Sequence, residues 1–374
     1  MNVLVGLSGG VDSSVAAHLL LQAGHRVVGC TMKLWRPGRY PGGDRDACFG
    51  PHEDSDIASA AALARLLHIP FHVFDLSDAY QRVVLDYFRT VRLAGQTPNP
   101  CVRCNQAIKF GLLPQAAREA GIPFDAFATG HYARIVPPPA PFHATPNSSP
   151  SSGRYSLLRA IDLAKDQSYF LYRLSQEQLA RTLFPLGGFT KPQVREIARN
   201  AGLPAALRPD SQDFYSGDPA DLLGDAPGPG PIVTLDGRVI GHHDGFWRFT
   251  IGQRRGLNLP STEPWYVVAL RPADNAVVVG RLPDALVREF PVADLNWSSL
   301  APPASTTGPI PVRVKIRSTG APYGPATFTP APDLRSGVCS VPDGLSGVAP
   351  GQSAVFYAPE DDRLLLGGII QPSA

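Results

Sequence analysis

Two short stretches of this chain carry side chains whose types and spacing could do chemistry. In the first, the apolar run Val3–Leu7 leads into Ser8-Gly9-Gly10-Val11-Asp12-Ser13-Ser14 and then a helix-like segment. Two glycines let the backbone turn tightly and bring its N–H groups toward an anion. Ser8, Ser13 and Ser14 add hydroxyl donors, and a helix N-terminus adds partial positive charge. Asp12 is an acid inside an anion site, which makes sense if Mg²⁺ bridges it to phosphates. The motif is neither G-x-x-x-x-G-K-[ST] nor G-x-G-x-x-G, and it places no lysine to reach a γ-phosphate. A plain strand-turn-helix with a Ser/Asp cap is the ordinary alternative.

The second stretch is Thr97-Pro98-Asn99-Pro100-Cys101-Val102-Arg103-Cys104-Asn105. A C-x-x-C turn brings two sulfurs together, and Pro100 stiffens the entry. Arg103 and Lys109, with a following helix N-terminus, are expected to lower a thiol pKa toward the reactive thiolate. Half of a zinc site, a redox dithiol and sulfur-handling chemistry are all open on these residues. No second C-x-x-C exists, which weighs against a Cys₄ zinc site.

Other groups have weaker claims. Cys30 ends an apolar strand and reads as a core residue. Cys48 lies in a Gly/Asp-rich loop and is open between an inert and a functional role. Cys339 falls among C-terminal strands and reads as structural. His131 follows Thr129-Gly130 at a strand end, where α/β ligand sites lie, but a hydrogen-bonded structural histidine fits as well. Strict alternation in Val312–Arg317 would put Arg313, Lys315 and Arg317 on one strand face. That face is either a phosphate-binding strip or simply solvated. Arg248, Arg254 and Arg255 beside Trp247 and Phe249 form a basic-aromatic cluster suited to nucleic-acid backbone and stacked bases.

The elements that must position these groups alternate over the first two hundred residues. Val3–Leu7, Val27–Met32, Phe71–Leu76 and Phe127–Thr129 are short apolar runs. Ser13–Ala23 and Ile57–Leu67 between them carry Leu and Ala at three- and four-residue spacing. This predicts a parallel sheet covered by helices on both faces. A helical pair follows, Ser175–Leu183 and Lys191–Ala201, the second opened by Thr190-Lys191-Pro192 as N-cap with proline in the first turn. Pro137–Ser152 has almost nothing to bury and is expected as a mobile surface insertion. From Pro231 onward short β-type runs split by turns predict a compact β module and then a β-barrel. The expected domains are 1–205, 206–272 and 273–374.

Composition sets the outer limits. With 374 residues, 44% hydrophobic and 18% charged, the chain reads as a multi-domain globular protein. No apolar run approaches the roughly 18–20 residues that span a bilayer, and the N-terminus enters a strand with no basic leader. Five cysteines are an odd, sparse set that argues against a disulfide scaffold and for a reducing cytoplasm. A net charge of +2 neither demands nor excludes a nucleic-acid partner, so any RNA-binding cations must be gathered on one face.

These motifs together resemble a known family. SGGVDSS resembles the PP-loop of ATP pyrophosphatases, which hold the pyrophosphate released when ATP adenylates an oxygen. T-P-N-P-C-V-R-C-N-x-x-I-K-F-G, Ala128-Thr129-Gly130-His131-Tyr132-Ala133, Lys165–Leu171, Asp210-Ser211-Gln212 and Phe249–Leu257 occur in the order found in the tRNA-specific 2-thiouridylases, the MnmA/TrmU family. The resemblance implies an α/β PP-loop domain of the adenine nucleotide alpha hydrolase-like type, a small β-rich central domain and a C-terminal β-barrel contacting tRNA. It implies that ATP, with Mg²⁺, binds through Gly6, Leu7, Ser8, Gly9, Gly10, Val11, Asp12 and Ser13, with adenosine near Met32 and Gly130. It further implies adenylation of O2 of the wobble uridine, then sulfur attack at C2 with loss of AMP. Cys104 matches the nucleophilic cysteine, and Asn99, Pro100 and Cys101 match residues that meet the flipped base. Lys165, Asp166 and Gln167, with Arg317 and Ser318, match tRNA-contacting positions. A sulfur-donor protein or sulfide is the implied partner, for a cytoplasmic monomer with no membrane contact.

The chain also departs from the pattern. Many members carry a second catalytic cysteine in D-S-x-x-x-C, as persulfide carrier, and here Tyr215 occupies its place. A phenol cannot carry a persulfide. Members of the better-known type have Asp where this chain has Cys101, so the chemistry is expected to have moved into the pair. Either one of Cys101 and Cys104 carries the persulfide and the other resolves it, or the pair ligates a [4Fe-4S] cluster with Cys48 as third ligand. The reading leans to the cluster. Against this function stand a PP-loop ligase or amidotransferase adenylating a small molecule, which leaves the cysteine pair unexplained, and a non-catalytic RNA-binding protein, which leaves the phosphate loop unexplained.

Overall fold

The computed structural model describes residues 1–44, 47–139, 153–204, 213–303 and 308–373. The run Asp210-Ser211-Gln212 and most of the expected insertion 137–152 lie outside the described residues. Up to residue 215 the strands are β1 (Asn2–Gly6), β2 (Arg26–Lys33), β3 (Ala47–Phe49), β4 (Phe71–Asp75), β5 (Ala126–Ala128), β6 (Ala133–Val136), β7 (Ser156–Arg159), β8 (Thr182–Leu183) and β9 (Asp213–Tyr215). Five of them form one parallel sheet in the order β4-β2-β1-β5-β8.

Alternation along β1 shows how this sheet is covered. Val3 and Val5 pack with residues of helix α1 (Val11–Gln22) and helix α2 (Glu53–Leu66), and with Val194 and Ala198 of the helix Lys191–Asn200. Leu4 points the other way, into a cluster with Val102, Phe110 and Phe127. One helical layer therefore carries the N-terminus of the phosphate loop's helix, and the opposite layer carries the cysteine segment. Both faces were expected to carry helices, but the helices of this second layer were not placed from the sequence. Its helices run through π-helical turns at Gln81–Leu85 and Cys104–Leu112, whose wider winding blurs the 3.6-residue period. Residues 182–183, expected as the end of a helix, are the edge strand β8.

The central sheet consists of β10 (Gly230–Thr234), β11 (Val239–His243), β12 (Tyr266–Arg271) and β13 (Ala276–Gly280), in the order β11-β10-β13-β12. The expected division at 272/273 would cut the β12–β13 pair, and β13 also pairs with β10. This module therefore runs on through Gly280. Beyond it β14 (Leu286–Trp297), β15 (Ile310–Lys315), β16 (Tyr323–Pro330), β17 (Ser336–Ser346), β18 (Ser353–Tyr357) and β19 (Arg363–Ile370) form a six-stranded barrel. Pairing of β14 with β19 closes it, around Phe290, Val312, Phe328 and Phe356.

The barrel is joined to the first domain. The β6–β7 hairpin, which flanks the expected insertion, pairs through β7 with β19 and extends the barrel's sheet. Beneath this joint Asp166 accepts from Ala160 N (3.2 Å), Ser168 N (3.1 Å), Ser168 Oγ (3.0 Å) and Arg159 Nε (3.3 Å). Ser168 Oγ meets Tyr357 Oη of the barrel at 2.9 Å. A second brace lies by the cysteines, where Thr97 N donates to Pro350 O at 2.8 Å and Tyr169 Oη donates to Ser353 O at 3.1 Å. Gly351 sits in that brace at φ 88°, and a Cβ there would lie 3.0 Å from Thr97 N and O. Gly351→Ala should cost about 1–3 kcal/mol from left-handed strain and crowding. Chemical denaturation checks this, and an unchanged midpoint would contradict the brace.

Candidate active site

β1 ends at Gly6, and the chain turns through Gly9 at φ 75° into α1. Gly10 caps α1 without any side-chain cap, so the helix N-terminus keeps amide donors for an anion. Ser8 N donates to Ser13 Oγ at 3.2 Å, while the Ser13 and Ser14 hydroxyls both donate to Gly10 O (3.2 and 2.8 Å). Ser14 is fully buried and serves the loop itself, not an outside anion as expected. Gly130 closes the loop from the side, since a Cβ there would sit 2.7 Å from Asp12 C and Ser13 N. Met32, at the end of β2, is half-buried and pairs in register with Phe74.

Asp12 is engaged by two groups that the sequence reading did not assign to it. Lys191 Nζ lies 2.7 and 2.8 Å from its two carboxylate oxygens, and Tyr132 Oη donates to Oδ1 at 2.8 Å. Lys191 is the first residue of its helix, where a cation opposes the helix dipole, and that mismatch was the available signal. Tyr132 is fixed in turn, its N–H donating to Gln167 Oε1 at 2.9 Å. His131 is buried between Phe110 and Phe184, with Nδ1 2.7 Å from Thr129 Oγ1. Burial, with Lys109 adding to it, holds its pKa well below the ordinary histidine value, so it is neutral and fits the structural role.

The cysteine pair starts the second helical layer. Asn99 caps it by accepting from Val102 N at 3.3 Å, Pro100 is in the first turn, and Val102 anchors it in the core. Arg103 lies over the Tyr87 ring at 4.7 Å. Cys101 and Cys104 are both half-buried. The expected lowering of the Cys104 pKa does not occur: desolvation pushes the thiol up to about 11, Lys109 offsets only part of this, and Cys48 adds to the rise.

Cys48 lies on β3, which pairs with β9 so that Phe49 faces Tyr215. Cys48, Cys101 and Cys104 all act electrostatically on the buried Tyr80 and so share one neighbourhood. Among the described residues, however, no three His, Cys, Asp or Glu side chains are grouped to hold a metal ion. As placed, the three thiols do not fit the expected cluster, and no step is routed through one. A carboxylate such as Asp12 is the type of group that would hold Mg²⁺ beside substrate phosphates, and here both its oxygens are engaged by Lys191 and one by Tyr132. Tyr215 is buried, donates to Asp221 Oδ2 (2.8 Å) and accepts from Gly42 N (3.1 Å), with its phenol pushed up to about 12 by burial and then by Asp221.

The expected RNA-binding groups divide. Lys315 is only 3% exposed, next to the Arg159–Asp166 pair, so no strip of three cations exists. Its neighbour Arg313 binds the carbonyl oxygens of Ala358 and Asp361, whereas Arg317 and Ser318 are exposed. The carboxylate of Asp166 is bound inside the protein and is not available to RNA, whereas Lys165 and Gln167 are half-buried. Trp247 and Phe249 are core residues and cannot stack on bases, although Arg248, Arg254 and Arg255 beside them are exposed.

Two measurements probe this site. Near pH 7.5, Cys104 should alkylate about a hundredfold more slowly than an ordinary thiol, because a raised pKa leaves the thiolate a trace species. The rate should climb with pH toward about 11, and Lys109→Met should slow it further. Peptide mass spectrometry after iodoacetamide treatment gives the rate, and an ordinary thiol's rate near neutrality contradicts this. Tyr215→Phe should lose about 1–2 kcal/mol of stability from two hydrogen bonds while sulfur transfer stays nearly intact. A hundredfold loss of turnover would reveal a chemical role for the phenol.

Comparison with known proteins agrees across the chain. Residues 1–215 match the family model of the tRNA methyl transferase HUP domain, 221–281 that of the tRNA methyl transferase PRC-barrel domain, and 287–370 that of the aminomethyltransferase β-barrel domain. A tRNA-specific 2-thiouridylase MnmA of Endomicrobium trichonymphae is 44% identical over 375 residues, covering 99% of both chains. Enzymes of the same name from Chloroflexus aggregans (47%, covering 99% of this chain and 98% of theirs) and Synechocystis sp. (42%, 99% and 97%) align equally fully. Matched in all three segments and aligned from end to end with these enzymes, the chain belongs to the tRNA-specific 2-thiouridylase family.

Proposed function

We propose that this protein thiolates the wobble uridine of tRNA at C2, driven by ATP, as a cytoplasmic monomer. The observation that carries the reading is that one strand serves both reactive elements: β1 ends in the phosphate loop, and its Leu4 packs with Val102 of the cysteine segment. Uridine O2 attacks the α-phosphorus of ATP, an O–P bond forms, and pyrophosphate leaves. The residues Gly6–Ser13 hold the phosphates, and Gly130 and Met32 flank the adenosine. Asp12 would hold Mg²⁺, which offsets phosphate charge when bound. Adenylation turns a urea-like oxygen into a good leaving group.

A persulfide on Cys104, loaded by a persulfide donor protein, then attacks C2, and the C2–O2 bond breaks as AMP departs. The Cys101 thiolate attacks the Cys104 sulfur, so the S–S bond to the base breaks and 2-thiouridine is released. The resulting Cys101–Cys104 disulfide is reduced by a dithiol before the next cycle. The raised pKa of Cys104 suits this order, because an outer persulfide sulfur ionises more readily than a buried thiol. Asn99, Pro100 and Cys101 meet the flipped base. Lys165, Gln167, Arg317 and Ser318, with the exposed Arg254 and Arg255, face the tRNA backbone.

A PP-loop ligase acting on a small molecule remains the competing reading, and pyrophosphate release separates the two. Release from ATP should require added tRNA. Cys104→Ser should abolish thiolation while tRNA-dependent release persists. Release with a small acid or amine and no tRNA, or full thiolation by Cys104→Ser, would overturn the proposal.

A further inference from the structure

Lys191 takes no part in the two chemical steps above, yet its placement is costly. It opens the helix Lys191–Asn200, where the amide dipoles disfavour a cation, and its side chain is only 9% exposed. The Asp12 carboxylate helps offset both costs, gripped at 2.7 and 2.8 Å through both oxygens. Asp12 itself lies in the first turn of α1, so the N-termini of two helices approach within one lysine side chain. The Lys191 ammonium is also 5.8 Å from the Tyr132 ring centroid, and Tyr132 Oη donates to the same carboxylate. The carboxylate thus stands where two helix ends and an ammonium would otherwise favour an anion.

A polyphosphate carries more charge than one carboxylate and would compete for that ammonium. We infer that Lys191 is the cationic phosphate ligand of the loop, held in reserve by Asp12 and transferred to the β- and γ-phosphates of ATP. It then stays with the pyrophosphate, while Asp12 is released to hold Mg²⁺. The short motif at residues 8–14 has no lysine of its own, and the fold supplies one from about 180 residues downstream in the chain. The site therefore selects for a pyrophosphate group, and AMP, which lacks one, gains little from Lys191.

This inference rests on the loop being the ATP site, and calorimetry on the full chain separates the two claims. Pyrophosphate, ATP and AMP are titrated into wild type, Lys191→Met, Lys191→Arg and Asp12→Asn, with EDTA and with excess Mg²⁺. Lys191→Met should weaken pyrophosphate binding at least tenfold in EDTA and AMP binding less than threefold. Lys191→Arg should stay within threefold of wild type for pyrophosphate. Asp12→Asn, which removes the competing carboxylate charge, should tighten pyrophosphate binding in EDTA at least threefold. Equal losses for AMP and pyrophosphate in Lys191→Met, or no tightening in Asp12→Asn, would show that the pair only holds the loop together. A wild-type chain that binds neither ATP nor pyrophosphate would overturn the nucleotide site as well.

Discussion

The pairing of β7 with β19 is the constraint on which the rest of this structure depends. A hairpin grown from the nucleotide domain becomes part of the barrel's own hydrogen-bonded sheet, so the two cannot move independently without breaking main-chain bonds. Buried polar groups reinforce the joint. The Asp166 carboxylate collects four donors from one side, and Ser168 passes the network to Tyr357 on the other. Such a network is stable only when every member is satisfied, which fixes one docking geometry.

That rigidity serves the cysteine segment. Thr97 is tied to Pro350 of the barrel, and Tyr169, which packs with Val102, is tied to Ser353. The segment from Asn99 to Cys104 is thus held from the barrel side by hydrogen bonds and from the sheet side by the apolar anchor Val102. Two thiols with no covalent link of their own are kept in a fixed relation to a phosphate loop on the opposite helical layer.

Electrostatics follow from the same packing. Neighbouring cations suggested a reactive thiolate at Cys104, yet burial outweighs Lys109 and leaves a protonated thiol. His131 is kept neutral by the same means. Around the nucleotide loop the contact is direct, with the buried Lys191 Nζ 2.7 and 2.8 Å from the two oxygens of Asp12. At Cys104 and His131, then, desolvation is the leading influence on the state of the group.

Much of this was legible in the residues themselves. Short-range rules govern a strand, two glycines and a helix start, so the phosphate loop, the parallel sheet and the proline-stiffened cysteine turn could be read from neighbours in the chain. The replacement of a cysteine by Tyr215 was equally plain, because it is a matter of covalent chemistry. What the chain order hid was every relation between distant segments. Lys191 meeting Asp12, Lys315 turning inward to the Arg159–Asp166 pair, Cys48 arriving beside the cysteine helix and the hairpin completing the barrel's sheet all depend on packing across more than twenty residues of separation. Alternation in Val312–Arg317 suggested three cations on one strand face, but β15 ends at Lys315, Arg317 lies beyond it, and only the tertiary fold decided that Lys315 is buried. Local propensity specifies which way a side chain points, and the desolvation and contacts that give it a role come from whatever the fold brings against it.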